Sequence, residues 1–364
     1  MAFRLLSVAS LPPAFSLDQQ FTAAFAAPRC CETRDQERLL SALYRRTRIK
    51  KRSTVLLEET GGLTNDEFFP LPRGASNRGP STEARMRKYE KFAGKLAVRA
   101  SREALCRAGV RSSEITHLIT VSCTGFYAPG IDYEVVQDLG LDLDVERVQI
   151  GFMGCHAALN GIRVADAFGR SQATGKILIV AVELCSLHFQ YGWNPDQIVS
   201  NSLFADGAGA IVGEHAPGQL GEKGFWTSIA HGTVLVPDTA DAMTWRIGDR
   251  GYHMTISARL PDLIEEQLRP WVDRWLASRG LTTADIRSWA IHPGGPRILT
   301  AAEKALDLPS EATAVSREVL ACHGNMSSAT LIYLLEKLID KSAGLPCVAL
   351  GFGPGLTIEA ALFS

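Results

Sequence analysis

Three residues in this chain stand in settings that suit them to chemistry. Cys155 follows the turn Gly151-Phe-Met-Gly154 and precedes a helical pattern, Ala157 to Phe168, whose Ile162, Ala165 and Phe168 share one face. A thiol at the first turn of a helix lies beside partly positive backbone N–H groups, which favours the thiolate and lowers its pKa. Gly154, Ala157 and Ala158 leave room for an incoming carbonyl. A cysteine taken alone is more often a small core hydrophobe; the glycine turn ahead of a helix weighs against that. His292 ends the strand-like run Ser288 to His292, and Pro293-Gly-Gly-Pro296 stops the strand and projects the side chain at its tip. Asn325, in Cys322-His-Gly-Asn325, comes just before a helical pattern from Ser327 to Ile339. On its own it reads as a helix cap, a role Asn fills well.

Together the three make a consistent set. The Cys155 thiolate would attack a thioester and carry the acyl group. Two neutral donors, His292 Nε2–H and the Asn325 amide, would hold the oxygen of a second thioester and stabilise the enolate left when a malonyl group loses carbon dioxide. His292 would also serve as acid or base.

The elements that must bring these residues together are visible as an internal repeat. Residues 109–125 (GVRSSEITHLITVSCTG) and 280–295 (GLTTADIRSWAIHPGG) both run from Gly and an aliphatic residue through a polar, acid-containing segment into an apolar strand and a Gly turn. Val148–Ala158 and Val319–Ala329 form a second pair, each leading into a helical pattern, and this places Gly154-Cys155 over Gly324-Asn325. Ile177–Val182 and Cys347–Phe352 are a third pair of buried-strand runs. Any two strand-turn-helix units look somewhat alike, but three pairs in the same order imply duplicated halves, strands buried by helices on both sides, and a site at the seam drawing on each half.

Bulk properties set limits. The 364 residues are 46% hydrophobic and 21% charged, with 38 Lys and Arg against 39 Asp and Glu for a net charge of -1. That is ample core material, and it offers no global field for nucleic acid or a membrane surface. The eight cysteines, Cys30, Cys31, Cys106, Cys123, Cys155, Cys185, Cys322 and Cys347, include no C-x-x-C pair, so reduced, mostly structural thiols in a cytoplasmic protein are expected. The N-terminal apolar run is cut short at Pro12-Pro13, which argues against a signal peptide, and no window is long enough for a spanning helix. No nucleotide-binding glycine motif or metal-ligand spacing occurs, so no metal and no cofactor is expected.

Four motifs carry a resemblance that covers nearly the whole chain: Gly151-Phe-Met-Gly-Cys155, Ile291-His-Pro-Gly-Gly-Pro296, Gly324-Asn-Met-Ser-Ser328 and Gly351-Phe-Gly-Pro-Gly-Leu-Thr-Ile-Glu359. The sequence resembles the type III polyketide synthases, the chalcone synthase-like branch of the thiolase superfamily. The resemblance implies an α/β, thiolase-like fold of two duplicated βαβαβ halves in five αβαβα layers, here residues 1–220 with the cysteine and 221–364 with the histidine and asparagine. It also implies a homodimeric acyltransferase working on malonyl-CoA and an acyl-CoA starter, with CoA thioesters as substrates rather than cofactors. By the same resemblance Cys155, His292 and Asn325 are catalytic, and Phe204 gates the pocket and favours malonyl decarboxylation.

Tyr252 matches a second gate that is usually Phe, and Ser327 a cavity-lining Ser. Cys123, Cys185 and His188 stand where chalcone synthases mostly carry Thr. Gly353 would line the site, and Ala128 matches a larger loop residue that reaches across the dimer into the partner's cavity. For CoA phosphates the basic run Arg45–Arg52 suggests Arg46, with Arg297 second; most such runs are simply solvated. These details are closer to bacterial alkylpyrone and alkylresorcinol synthases than to plant members. The expected reaction is a medium- or long-chain starter extended with malonyl-CoA and closed to a pyrone or resorcinol. A short or aromatic starter is the alternative, and a non-catalytic acyl-binding scaffold on the same fold is the reading from outside enzymology.

Overall fold

The computed structural model describes residues 2–57, 67–72, 78–171, 175–216 and 226–364. In the first half the strands are β1 (Ala2–Leu11), β2 (Ser16–Asp18), β3 (Lys51–Ser53), β4 (Ile115–Ser122), β5 (Glu146–Gly151), β6 (Lys176–Leu184) and β7 (Asp206–Ala216). Its helices are α1 (Gln19–Cys30), α2 (Arg34–Arg46), α3 (Thr82–Ala108), α4 (Ile131–Leu139), α5 (Ala157–Ser171) and α6 (Pro195–Leu203). The second half has β8 (Trp226–Leu235), β9 (Met243–Gly248), β10 (Gly251–Ile256), β11 (Ser288–Ile291), β12 (Cys347–Gly353) and β13 (Thr357–Phe363), with α7 (Leu260–Ala277), α8 (Pro296–Leu306), α9 (Ala314–His323) and α10 (Ala329–Asp340).

The repeat is real in the backbone. In the first half β4, β6, β7 and β1 lie side by side, and in the second β11, β12, β13 and β8 follow the same order. The senses match too: the first pair in each set is parallel and the next two are antiparallel. Gly109 and Gly280, which open the two copies, both adopt left-handed backbone (φ 63° and 71°) with open space beyond the Cα, so it is the dihedral that calls for glycine. In each copy an acid then bonds back to the N–H three residues earlier, Arg111 N–H to Glu114 Oε2 at 3.0 Å and Thr282 N–H to Asp285 Oδ2 at 2.8 Å.

Side-chain alternation assigns the layers. On β6, Ile177, Ile179 and Ala181 face the central core, while Leu178, Val180 and Val182 face the core under α3 and α4. On β12, Cys347 and Ala349 face the centre, while Val348 and Leu350 face the core under α7 and α8. The central core also holds Leu159 and Ile162 of α5 and Leu331, Leu334 and Leu335 of α10. Helices therefore cover both faces of each half's strands, with α5 and α10 shared between them. This is the five-layered, thiolase-like arrangement, and it explains why the strands read as unbroken apolar runs.

Several details differ from the sequence reading. The strands join into one nine-stranded hydrogen-bonded sheet, because β1 pairs with β8 through Phe3–Leu5 and Trp226–Ser228. The segment matched to β5 is not a strand: Val319–His323 closes helix α9. β11 ends at Ile291, and α10 begins only at Ala329. The boundary expected at 220/221 lies outside the described residues. Among the described residues no helix is long and apolar enough to cross a membrane.

Candidate active site

Between β5 and α5 the chain turns through two left-handed residues, Phe152 (φ 58°) and Gly154 (φ 87°). A Cβ on Gly154 would meet Pro354 Cδ at 2.3 Å, so the Gly-Phe-Gly-Pro-Gly loop packs directly on the cysteine's turn. The Gly154 N–H donates to Cys123 Sγ at 3.1 Å. Cys155 follows, 5% exposed, two residues before the helix begins at Ala157. Here the expectation of a lowered pKa fails. Burial pushes the thiol up to about 12, and the neighbouring Glu183 charge adds to this; hydrogen bonds from the Ser327 and Asn325 side chains pull down without offsetting it.

His292 directly follows β11, its N–H bonded to Leu350 O at 2.8 Å. The ring is 1% exposed, and neither ring nitrogen has a hydrogen-bond partner among the described residues. Burial lowers its pKa to about 3, the nearby His156 lowers it further, and the Asn325 carboxamide alongside favours the charged form slightly. The imidazole is therefore neutral at pH 7 and keeps one N–H to donate to an enolate oxygen.

Asn325 is held by its main chain to both sides of Phe204: its N–H donates to Leu203 O, and its carbonyl accepts from Ala205 N–H, both at 2.9 Å. Asn325 Oδ1 accepts the Ser327 N–H at 2.9 Å. That bond fixes the amide's orientation and leaves the Nδ2 hydrogens to point away from it. Gly324 (φ 75°) and Ser327 (φ 48°) flank this turn in left-handed backbone, as Phe152 and Gly154 do before Cys155.

The three side chains line one cavity. Cys155 and Phe204 also line a second, larger adjoining cavity, so they stand at the division between the two. Tyr252, Cys123, Cys185, His188 and Ser327 line the larger one. Gly353 and Ala128 line neither; the neighbours of Gly353, Phe352 and Pro354, face the cavities instead. A Cβ on Gly353 would meet His156 Cδ2 at 2.2 Å, so its role is close packing rather than lining. Ala128 is exposed, next to a cis Pro129, on the outside of this chain. Arg46 and Arg297 are exposed and line neither cavity.

The larger cavity has a polar corner and an apolar floor. His188 Nδ1 accepts the Tyr252 N–H at 3.0 Å, so Nε2 carries the proton and donates to Thr124 O at 2.7 Å. Both nitrogens are thus occupied, and burial lowers the pKa to about 3. The ring stacks on Tyr252 with centroids 4.1 Å apart, and Trp245 Nε1–H donates to Cys123 O at 2.7 Å. The floor is aromatic: Phe25 and Phe69 each meet Phe189 edge-on, at 5.7 and 5.4 Å. Trp245, Met243, Met254 and this trio were not picked out from sequence; they come from β9, β10, α1 and loops, and their only signal was an aromatic- and Met-rich hairpin.

Glu183 is fully buried behind this wall and lines neither cavity. It accepts from Cys123 N–H at 3.0 Å, Thr124 Oγ1 at 2.8 Å and the Ser328 hydroxyl. Burial raises its pKa, and these donors act against the rise.

A buried cysteine, an unpartnered neutral imidazole and an oriented carboxamide around one cavity are the parts of a thioester-condensing enzyme. Comparison with known proteins agrees. Residues 5–217 match the family model described as chalcone and stilbene synthases, N-terminal domain, and residues 228–364 match the corresponding C-terminal domain. The chain belongs to the chalcone and stilbene synthase family and is a type III polyketide synthase, a malonyl-CoA-condensing acyltransferase. It is 36% identical over 292 residues to the α-pyrone synthesis polyketide synthase-like protein Pks18 of Mycobacterium tuberculosis, covering 79% of this chain and 74% of that one. It is 34% identical to the 1,3,6,8-tetrahydroxynaphthalene synthase of Streptomyces peucetius, covering 73% and 72%. Among solved structures, PKS-I of the brown alga Ectocarpus siliculosus superposes with a TM-score of 0.89 at 29% identity, covering 100% of this chain and 98% of that one. The 1,3,6,8-tetrahydroxynaphthalene synthase of Streptomyces coelicolor does so with 0.86 at 27% identity, covering 99% and 98%.

Proposed function

We propose that this synthase loads a medium- or long-chain fatty acyl group from CoA onto Cys155, extends it with malonyl-CoA and releases it as an alkylpyrone. The observation that carries this reading is the pair of cavities meeting at Cys155. The smaller brings His292 and Asn325 to the sulfur, and the larger, with an aromatic and Met-rich lining, offers an acyl chain an apolar home.

In the loading step Cys155 attacks the starter thioester as a thiol. The thiol proton passes to His292 as the S–C bond forms and is returned to the departing CoA sulfur. Malonyl-CoA then places its thioester oxygen against the imidazole N–H and Asn325 Nδ2. The C–CO₂ bond breaks, and the electron pair is held as an enolate by these two neutral donors. The enolate carbon attacks the Cys155 thioester, the C–S bond breaks, and the lengthened chain leaves on CoA to reload. Phe204, which stands between the cavities, keeps water and the acyl tail away from the decarboxylating group.

Ring closure by lactonisation needs only an enol oxygen attacking the terminal thioester carbonyl. Among the described residues no carboxylate lines either cavity: Glu183 lies behind the wall, accepting from Cys123 N–H and the hydroxyls of Thr124, Ser328 and Ser122. The likeness to a protein named for α-pyrone synthesis supports the same ending. All eight cysteines are free, which suits a reducing, cytoplasmic setting. A homodimer in which Ala128 borders the partner's cavity completes the proposal.

The test is incubation with starters from acetyl- to long-chain acyl-CoA and benzoyl-CoA, plus labelled malonyl-CoA, with products read by mass spectrometry. Alkylpyrones from the longer starters are expected. Turnover confined to aromatic or short starters would defeat the fatty-starter reading, and resorcinols as main products would defeat the lactone.

A further inference from the structure

Arg52 on β3 is a buried cation with no charged partner. It is 7% exposed, and among the described residues no carboxylate forms an ion pair with it. Its Nη1–H groups donate to two backbone carbonyls, Asn201 O at 2.7 Å and Phe204 O at 2.6 Å. Among the described residues Nε and Nη2 are buried without hydrogen-bond partners, and the guanidinium lies 5.8 Å from the Tyr44 ring centroid. Asp206, whose charge acts on the arginine, accepts from Val55 N–H, Ser186 N–H and the Ser186 hydroxyl.

Keeping a charge out of water is costly and has to be offset by what the charge holds in place. What Arg52 touches suggests the gain. Phe204 O belongs to the residue that divides the two cavities, and Phe204 is bridged to Asn325 by the bonds on either side of it. From the other direction, Gly324 packs on the arginine stem: a Cβ there would meet Arg52 Cγ at 2.9 Å and Cδ at 3.1 Å. Arg52 thus supports both strands of the Phe204–Asn325 pair. We propose that Arg52 is a positioning residue for the condensation half of the reaction, clamping the Phe204 carbonyl and the Gly324 turn so that the aromatic divider and the Asn325 carboxamide keep their places around the malonyl thioester. It rests on the roles given above to Phe204 and Asn325.

Arg52 lines the larger cavity but forms no hydrogen bond with Cys155 or His292, so with acetyl-CoA, a starter too short to fill that cavity, the two half-reactions separate the proposal from plain destabilisation. Arg52→Met and Arg52→Lys are compared with the unaltered enzyme in single-turnover acylation of Cys155, read by intact-protein mass, and in malonyl-CoA decarboxylation. For Arg52→Met, acylation stays within about threefold while decarboxylation falls roughly 10–100-fold, the scale set by sub-ångström misplacement of an oriented donor. Arg52→Lys, which keeps the charge and one donor, recovers part of that loss. Should Arg52→Met fail to fold, the ratio of decarboxylation to acylation in Arg52→Lys decides, and it must still fall. Equal loss of both half-reactions, or loss of neither, overturns the proposal. Asn325→Ala is the control: if that variant decarboxylates at the normal rate, the underlying role of Asn325 fails, and the clamp with it. If Asn325→Ala is impaired and the Arg52 variants are not, the clamp alone fails.

Discussion

The turn before α5 and the turn before α10 occupy matching places in the duplicated halves, yet one carries a thiol and the other a carboxamide. Both pass through two left-handed residues just before a helix, Phe152 and Gly154 in one, Gly324 and Ser327 in the other. Their surroundings differ. The first is entered from a strand and braced by Pro354, with a sulfur, Cys123, accepting the Gly154 N–H. The second is entered from helix α9 and bonded across to Phe204, with its amide oxygen tied to Ser327. Duplication supplied one backbone device twice, and local bonding decided what each copy does: the first exposes a nucleophile to its acyl group, the second aims a neutral donor at an oxygen.

The largest effect should come from erasing the difference on the first side. Cys155→Ala has no acyl carrier, so product formation should fall by roughly 10³-fold or more with the fold intact, checked by product yield and circular dichroism. Residual product at near-normal rate would show another thiol carrying the chain. On the second side, Asn325→Asp replaces a donor with a carboxylate facing an enolate. Malonyl decarboxylation should drop by about 10²–10³-fold, the range seen on losing one oxyanion donor.

The smaller effects probe the turns themselves. Gly154→Ala combines left-handed backbone with a Cβ only 2.3 Å from Pro354 Cδ, and thermal or urea unfolding should show a loss of about 2–4 kcal/mol. Cys123→Ala leaves the half-buried Gly154 N–H without its acceptor and should cost about 1 kcal/mol. Iodoacetamide labelling of Cys155 sharpens the comparison by pH. With its pKa raised toward 12 by burial, the thiolate fraction grows as pH rises, so the rate should climb steadily from pH 6 to 9. A plateau near neutrality would mean that a thiolate persists in the free enzyme.

Much of this was legible in the sequence, for physical reasons. The buried strands β6 and β12 carry unbroken apolar runs, and glycine turns mark where each chain segment must bend, so the halves and the Cys155, His292 and Asn325 positions could be read directly. What could not be read depends on packing across segments distant in sequence. Nothing local to Cys155 shows that burial outweighs the nearby helix start. Nothing in Val319–His323 distinguishes a short helix from the strand of its counterpart. Gly353 was placed facing the site, but alternation along β12 turns Phe352 toward the cavity and Gly353 against His156. Trp245, Met243 and Met254 entered the cavity because the β9–β10 hairpin folds over it, and a hairpin's two faces look equivalent until the hairpin is docked. Arg52 sat within a basic run that reads as solvated, and only the fold shows it buried.

The central claim is that the acyl chain rides on one sulfur at the junction of two cavities. Trapping the enzyme with a long-chain acyl-CoA in the absence of malonyl-CoA, followed by peptide mass mapping, reads this directly. The acyl mass should appear on the peptide bearing Cys155 and on none bearing the other seven cysteines, and it should disappear when malonyl-CoA is added. An acyl group found on Cys123 or Cys185, or a Cys155 adduct that malonyl-CoA fails to clear, would contradict it.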